Sequence, residues 1–326
     1  MGQRENMGER VDAQFLLEGI QQAYWVGQSG SLELSVPARY CGEADLPGDD
    51  PQALETALNA LIRRHEMLRA VICDNGEQRI LASVPFYRPE CIDLRGLGAE
   101  QAEALRGQLR AAMQARDLPP DRWPQFDIRA TRDDAGLRLH ISFALWMMDG
   151  WSFHILLQEL TALIREPETD LPEIALRFPA YVEDQRERRA GARRERAWSY
   201  WRQRLQTFPG PPALPLSPRL QPGARPTFRH IAHTLPKAQW QKLMRICAAR
   251  RLTPSLLACA AYSEVLARAS GSEDFAITLL HSGRFQCLPD AERTIGNFGT
   301  TILLEVDRCE RRPGICCSWR LGDHGL

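Results

Sequence analysis

The sequence predicts an α+β protein, and three observations lead there. Strand-like runs follow one another without an intervening helix, helical patterns also occur in succession, and no Gly-x-Gly-x-x-Gly or Walker A loop marks an alternating nucleotide-binding sheet. An open-faced sheet-and-helix layering therefore fits better than a doubly wound fold. At 326 residues, 44% hydrophobic and 25% charged, the chain is long enough for two lobes, each with its own core.

The first helix falls at residues 51–65, where Leu54, Leu58, Leu61 and Ile62 share one face and Pro51 occupies the first turn. Strand runs follow at MLRAVICD, at EQRILASVPFY after the Asn75-Gly76 turn signal, and at LRLHISFALWMM. A helix over 99–116 separates the second run from the third and ends before Pro119 and Pro120. Another spans Ser152 to Arg165, with Ser152 able to cap it and Phe153, Leu156, Leu157, Leu160 and Ile164 facing inward. A charged helix to about Gln206 leads into a segment with seven prolines between Pro209 and Pro226, which reads as a linker. Beyond it come a strand (TFRHIAHTL), a helix around Trp240, a helix from Pro254 capped by Thr253, and strands DFAITLL and TTILLEV. The expected domain organisation is a first lobe over 1–175, a connecting helix and Pro-rich linker over 176–228, a second lobe over 229–307 and a tail over 308–326 without periodicity, which the resemblance given below makes a partial lobe and an aberrant tail.

Lys plus Arg (41) balances Asp plus Glu (41), so no overall field draws the chain to nucleic acid or to an anionic membrane. The six arginines between Arg186 and Arg196 read as a solvated helix face. The N-terminus lacks the apolar stretch of a signal peptide, and no run of about 18 apolar residues exists, so the expectation is a cytoplasmic protein without a membrane partner. Asn6 stands where a myristoylation pattern needs Ser or Thr. Nine scattered cysteines form no C-x-x-C pair, which leaves no metal site or redox motif and implies free thiols.

The most pointed feature is MMDGWSF, where Asp149-Gly150 joins a strand run to a helix. A carboxylate at such a junction either accepts from the helix's free N–H groups or pairs with a cation to fix the loop. No Gly-x-Ser-x-Gly is present to support a hydrolase reading.

In order and spacing, FLLEGIQQAYWVGQ, RRHEMLRAVI, DNGEQRIL, DLRG, WPQFDIRAT, MMDGWSF, RFPAYV, YWRQRL, LTPSLLACAAYSEVLARAS and IGNFGTTILLEVD resemble blocks of nonribosomal peptide synthetase heterocyclization domains, a branch of the condensation superfamily. The resemblance runs from about residue 15 to 307. It implies two chloramphenicol-acetyltransferase-like lobes forming a V around a tunnel, the second lobe being incomplete here. It also implies two partner carrier proteins, one acyl-loaded and one aminoacyl-loaded, whose phosphopantetheine arms are the only cofactor. Such domains form an amide between a carrier-bound acyl group and cysteine, serine or threonine, then cyclodehydrate it to a thiazoline or oxazoline, as in siderophore biosynthesis. Positioning governs the first step, and a placed polar pair the dehydration.

Ordinary condensation domains resemble His-His-x-x-x-Asp-Gly at MMDGWSF, and the cyclizing branch Asp-x-x-x-x-Asp-x-x-Ser. Asp149 and Ser152 match the second and third positions of the cyclizing pattern, while Ala144 replaces its first Asp and Leu145 stands at the ordinary active-site His. By resemblance Asp149 is a structural residue, paired across the lobes with Arg284. Tyr24, Trp25, His140, Ser142, Asn297 and Thr300 are tunnel-lining candidates, and His65 is structural. The family's cyclodehydration Thr and Asp lie beyond the matching stretch. The resemblance thus leaves three functions open: heterocyclization, condensation alone, or non-catalytic carrier docking, by a monomer or part of a larger synthetase.

Overall fold

A computed structural model describes residues 11–28, 35–215, 231–284, 290–307 and 318–321. It contains β1 (Val11–Leu16), α1 (Ile20–Gly27), β2 (Arg39–Leu46), α2 (Pro51–Arg64), β3 (Ala70–Ile72), β4 (Glu77–Leu81), β5 (Glu90–Asp93) and α3 (Ala99–Ala115). There follow β6 (Phe126–Asp133), β7 (Gly136–Ala144), α4 (Gly150–Arg165), α5 (Phe178–Arg188) and α6 (Gly191–Arg204), then α7 (Lys237–Ala249), α8 (Pro254–Ser270), β8 (Asp274–Ser282), β9 (Gly299–Asp307) and β10 (Ser318–Leu321). Helices and sheets are mixed without strict alternation, as the α+β reading requires. None of the described helices is long and apolar enough to cross a membrane.

Two compact units emerge: residues to Arg189 together with Ser282–Thr300, and Ala190–His281 together with residues from Thr301 onward. The division is therefore interleaved along the chain. The first unit holds a three-stranded antiparallel sheet, β1-β4-β3, and a four-stranded sheet, β2-β7-β6-β5, in which only β5 runs parallel to its neighbour. The second holds most of the sheet β10-β9-β8, packed through Phe275, Ile277, Leu304 and Val306 against Leu266 and Ala267 of α8.

Local chemistry explains the boundaries. Asp50 caps α2 by accepting from Gln52 N at 2.9 Å, with Pro51 at the first helical position. Arg69 closes the other end, its Nη1 donating to the carbonyls of Ile62 and Arg63 at 2.7 Å and its Nε to Leu81 O at 2.9 Å. That clamp holds Glu66–Arg69 in a 3-10 turn and shortens the strand expected from MLRAVICD to three residues. At Asn75-Gly76 the glycine has φ +78° and Asn75 Oδ1 accepts from Glu77 N at 3.1 Å, turning β3 into β4. The charged helix expected to run to Gln206 is split into α5 and α6, because Gly191 takes φ +64°. Thr253 caps α8, accepting from Leu256 N at 3.2 Å.

Two expectations need correction. Of the strand expected over 227–235, residues 231–235 have no regular structure, and the apolar Ile231 is exposed instead of seated in a sheet; the rest lies outside the described residues. On α4 the buried stripe is Ser152, Ile155, Leu156, Leu160 and Leu163, with Phe153, Leu157 and Ile164 half-buried, so the inward face is turned from the one expected. Of the tail, only Ser318–Leu321 is described, pairing as β10 with β9.

The main core lies between one face of the four-stranded sheet and helices α2 and α4. Phe126, Ile128 and Ala130 of β6 and Leu137, Leu139, Ile141 and Phe143 of β7 meet Leu54, Leu58, Leu61, Leu156 and Leu160. Tyr87 enters this core with its phenol satisfied at both ends of the exchange, donating to Ile128 O at 3.1 Å and accepting from Ile128 N at 2.8 Å; burial pushes its pKa up to about 12. His65 joins α2 to α4, its Nε2 2.7 Å from Glu159 Oε2, which also accepts from Arg64 Nε at 3.0 Å. Leu58 is wholly buried at the α2 contact. Leu58→Ala is expected to lower the unfolding free energy by about 2–5 kcal/mol in a denaturant titration, the range for leucine truncation in a packed core.

Candidate functional site

The junction between β7 and α4 is where the polar groups of the first unit converge. β7 ends at Ala144, and its last amide donates to Gln125 O at 3.0 Å while Leu145 N donates to Ala38 O at 2.9 Å. Gln21, buried on α1, donates to Trp146 O at 2.8 Å, and the Trp146 indole donates to Gln125 Oε1 at 3.3 Å. Asn297 reaches the same loop through a hydrogen bond from its amide to Leu145 O. Three consecutive residues, Ala144, Leu145 and Trp146, are thereby fixed before the helix starts.

Asp149, rather than Ser152, is the helix cap. Its Oδ1 accepts from Ser152 N at 2.8 Å, and Ser152 sits in the first turn, where its hydroxyl lies 2.7 Å from the same oxygen. The expectation that Ser152 caps α4 fails because the helix already begins at Gly150, which places Ser152 inside its first turn and Asp149 at the cap. Ser152 Oγ also lies 2.8 Å from Gly296 O and accepts from Gly296 N at 3.1 Å.

Arg284 completes the arrangement. Its Nη2 donates to Asp149 Oδ1 at 2.9 Å and Oδ2 at 3.1 Å and to Ser152 Oγ at 2.9 Å, and its Nη1 donates to Thr294 O at 2.6 Å and to Ala291 O. The guanidinium carbon lies 3.9 Å from the centre of the Phe298 ring, a stacking geometry suited to a weakly hydrated cation. The residue is 1% exposed, so its charge is held by the carboxylate, carbonyl dipoles and a ring face in place of water. The pairing lies inside one unit, not between two lobes, because residues Ser282–Thr300 belong with the first unit.

Asp149 Oδ2 additionally takes the Phe298 amide at 3.3 Å. With Ser152, Arg284 and two backbone amides on it, this carboxylate joins the first turn of α4 to Arg284 and to the segment around Phe298. Gly296 is required at the contact: a Cβ there would fall 2.1 Å from the Phe178 ring. Phe178, Tyr181 and Phe298 pack on one another beside it, with centroids 4.4–5.5 Å apart.

The remaining sequence candidates separate into groups. Asn297 is at the junction, and Thr300 follows three residues later at the start of β9. Tyr24 and Trp25 are half-buried on α1; the ring of Trp25 lies against Gly76, and burial raises the Tyr24 phenol. His140 and Ser142 point to the other face of the β7 sheet from α4, beneath α3, since the alternate residues Leu139, Ile141 and Phe143 belong to the core. His140 Nε2 is 3.0 Å from Thr131 Oγ1 and its Nδ1 3.2 Å from Glu43 Oε1, and burial pushes the imidazole down. Sequence reasoning missed Gln21, Gln125, Thr294, Gly296 and Phe298. Only the glycine, within IGNFG, carried a readable signal.

Removing one partner of the buried pair leaves the other charge uncompensated. Asp149→Ala is expected to cost about 3–5 kcal/mol in a denaturant titration, and the double substitution Asp149→Ala with Arg284→Met less than Asp149→Ala alone. Gly296→Ala, forcing a methyl into the Phe178 ring, is expected to destabilise by about 1–3 kcal/mol in the same measurement.

Comparison with known proteins agrees with this layout. The family model for the condensation domain matches residues 44–311. Pyochelin synthetase PchF of Pseudomonas aeruginosa is 33% identical over 298 residues, which cover 90% of this chain and 16% of that protein. Phenyloxazoline synthase MbtB of a Mycobacterium species is 33% identical over 302 residues, covering 92% and 25% respectively. The chain thus spans a quarter or less of the length of these relatives. Among solved structures, the EpoB cyclization-docking bidomain from Sorangium cellulosum superposes with a TM-score of 0.80 at 31% identity, covering 92% of this chain and 61% of that one. The chain belongs to the condensation-domain family of nonribosomal peptide synthetases.

Proposed function

We propose that the chain is part of a heterocyclization domain: it joins a carrier-bound acyl group to cysteine, serine or threonine on a second carrier and closes the amide to a thiazoline or oxazoline. The observation that carries this is the Asp149-x-x-Ser152 pair gathered on Arg284, which fits the cyclizing pattern at two of its three positions. Relatives named for pyochelin and phenyloxazoline synthesis, at about a third identity, support the same chemistry and a siderophore-type setting. The partners are then an acyl carrier and an aminoacyl carrier, and phosphopantetheine is carried by them. The work takes place in the cytoplasm.

Within this reading Asp149 is structural and the chain's contribution is positioning. An amine attacking a thioester needs placement more than a strong base, and a fixed loop supplies placement. Ala144 and Leu145 bring no acid or base to the end of β7, so a second reading, carrier docking without chemistry, has a specific observation in its favour.

Intact-protein mass spectrometry of an acyl-loaded carrier and a cysteinyl carrier mixed with the purified chain tests both. The expected result is transfer of the acyl group with loss of one further water. A product at the amide mass alone would reduce the function to condensation. No transfer by a folded chain that still binds the carriers would replace catalysis with docking.

A further inference from the structure

Between α3 and the outer face of β2 and β7 lies a cavity of about 220 Å³. It is smaller than the roughly 300–1,000 Å³ of pockets that hold drug-sized ligands, and large enough for roughly seven waters at about 30 Å³ each. A carboxylate, Glu43, and a guanidinium, Arg110, line it together with Ser142, His140, Cys41 and Ile141.

These groups are held in place but incompletely used. Arg110 Nε donates to Glu43 Oε1 at 2.6 Å and its Nη1 to Glu103 Oε1 at 2.8 Å, while its Nη2 makes no hydrogen bond among the described residues. Glu43 Oε1 also faces His140 Nδ1, whereas Oε2 has no hydrogen bond among the described residues and only Arg138 Nη1 at 3.9 Å. Ser142 is fully buried, and among the described residues its hydroxyl is hydrogen-bonded to the Cys41 thiol, which donates to Oγ at 3.5 Å. Behind them, His140 is braced between Glu43 and Thr131, which sets the carboxylate's orientation.

An open carboxylate oxygen and an open guanidinium nitrogen on one small cavity match a ligand with both charges. We propose that this cavity binds a small free zwitterion, an α-amino acid or an amine–carboxylate of similar size, with its ammonium on Glu43 and its carboxylate on Arg110. The cavity lies across the sheet from the Asp149 junction, so the proposal stands independently of the carrier chemistry.

Isothermal titration of the purified chain with glycine and alanine, and with ethylammonium and propionate as single-charge controls, tests it. The expected result is saturable binding of an amino acid but of neither control, weakened about tenfold or more in Glu43→Gln, since a charge-assisted hydrogen bond is worth about that factor. Gln114→Trp, which fills the cavity rim from an exposed position one turn along α3 from Arg110, is expected to abolish binding while leaving the thermal transition unchanged. Absence of saturable binding to the folded chain would overturn the proposal. So would propionate binding as tightly as alanine, or full binding retained in Gln114→Trp.

Discussion

Burying a guanidinium is the constraint on which the rest of the first unit depends. Arg284 has almost no contact with water, and an ion taken out of water costs several kcal/mol unless charge and dipoles replace the lost hydration. Here the replacement comes from Asp149, from the carbonyls of Ala291 and Thr294, from Ser152 and from the Phe298 ring. Every one of those groups must be brought to within hydrogen-bond or stacking distance at once. The β7–α4 loop, the first turn of α4 and the segment around Gly296 therefore have one mutual arrangement that satisfies the charge. A pair of this kind is weak evidence for stability in itself, and its effect here is to select a geometry.

The two faces of the four-stranded sheet are held by different physics. Toward α2 and α4 the contact is dense and apolar, and its strength follows buried area. Toward α3 the sheet presents Cys41, Glu43, Asp127, Arg129, His140 and Ser142, and the helix answers with Arg106 on Asp133 and Arg110 on Glu43, while Arg116 just past its end reaches Asp127. Directional contacts leave gaps that an apolar interface would close, which accounts for a cavity beneath α3.

How much was legible in the sequence follows the same division. Helices α2, α3, α4 and α8 could be read, since their stripes, prolines and caps are local features. Neither β6 nor β2 was among the strand runs read: β6 does alternate, with Phe126, Ile128 and Ala130 inward against Asp127, Arg129 and Thr131 outward, but four of its eight residues are charged, and β2, with Tyr40, Gly42, Ala44 and Leu46 on one side, carries too faint a pattern to declare itself. At the site, Asp149 was visible because an Asp-Gly between two apolar elements is conspicuous. The cap was left open between Asp149, as an acceptor for the helix's free N–H groups, and Ser152, since both residues are good caps and only the backbone angles choose between them. The amides of Gly296 and Phe298 had no signature, because every residue but proline has one.

The interleaving of the chain gives the Arg284 contacts a genetic meaning. Asp149 and Arg284 are 135 positions apart, and the intervening stretch includes all of Ala190–His281 in the other unit. An exchange of segments between related synthetases with one crossover in that stretch would bring together an acid and a base with different histories. Exchanges that carry both ends, or that replace only the middle, keep the buried cation matched to its partners. Viable chimeras of this family should therefore inherit residues 149–152 and 284–298 from one parent.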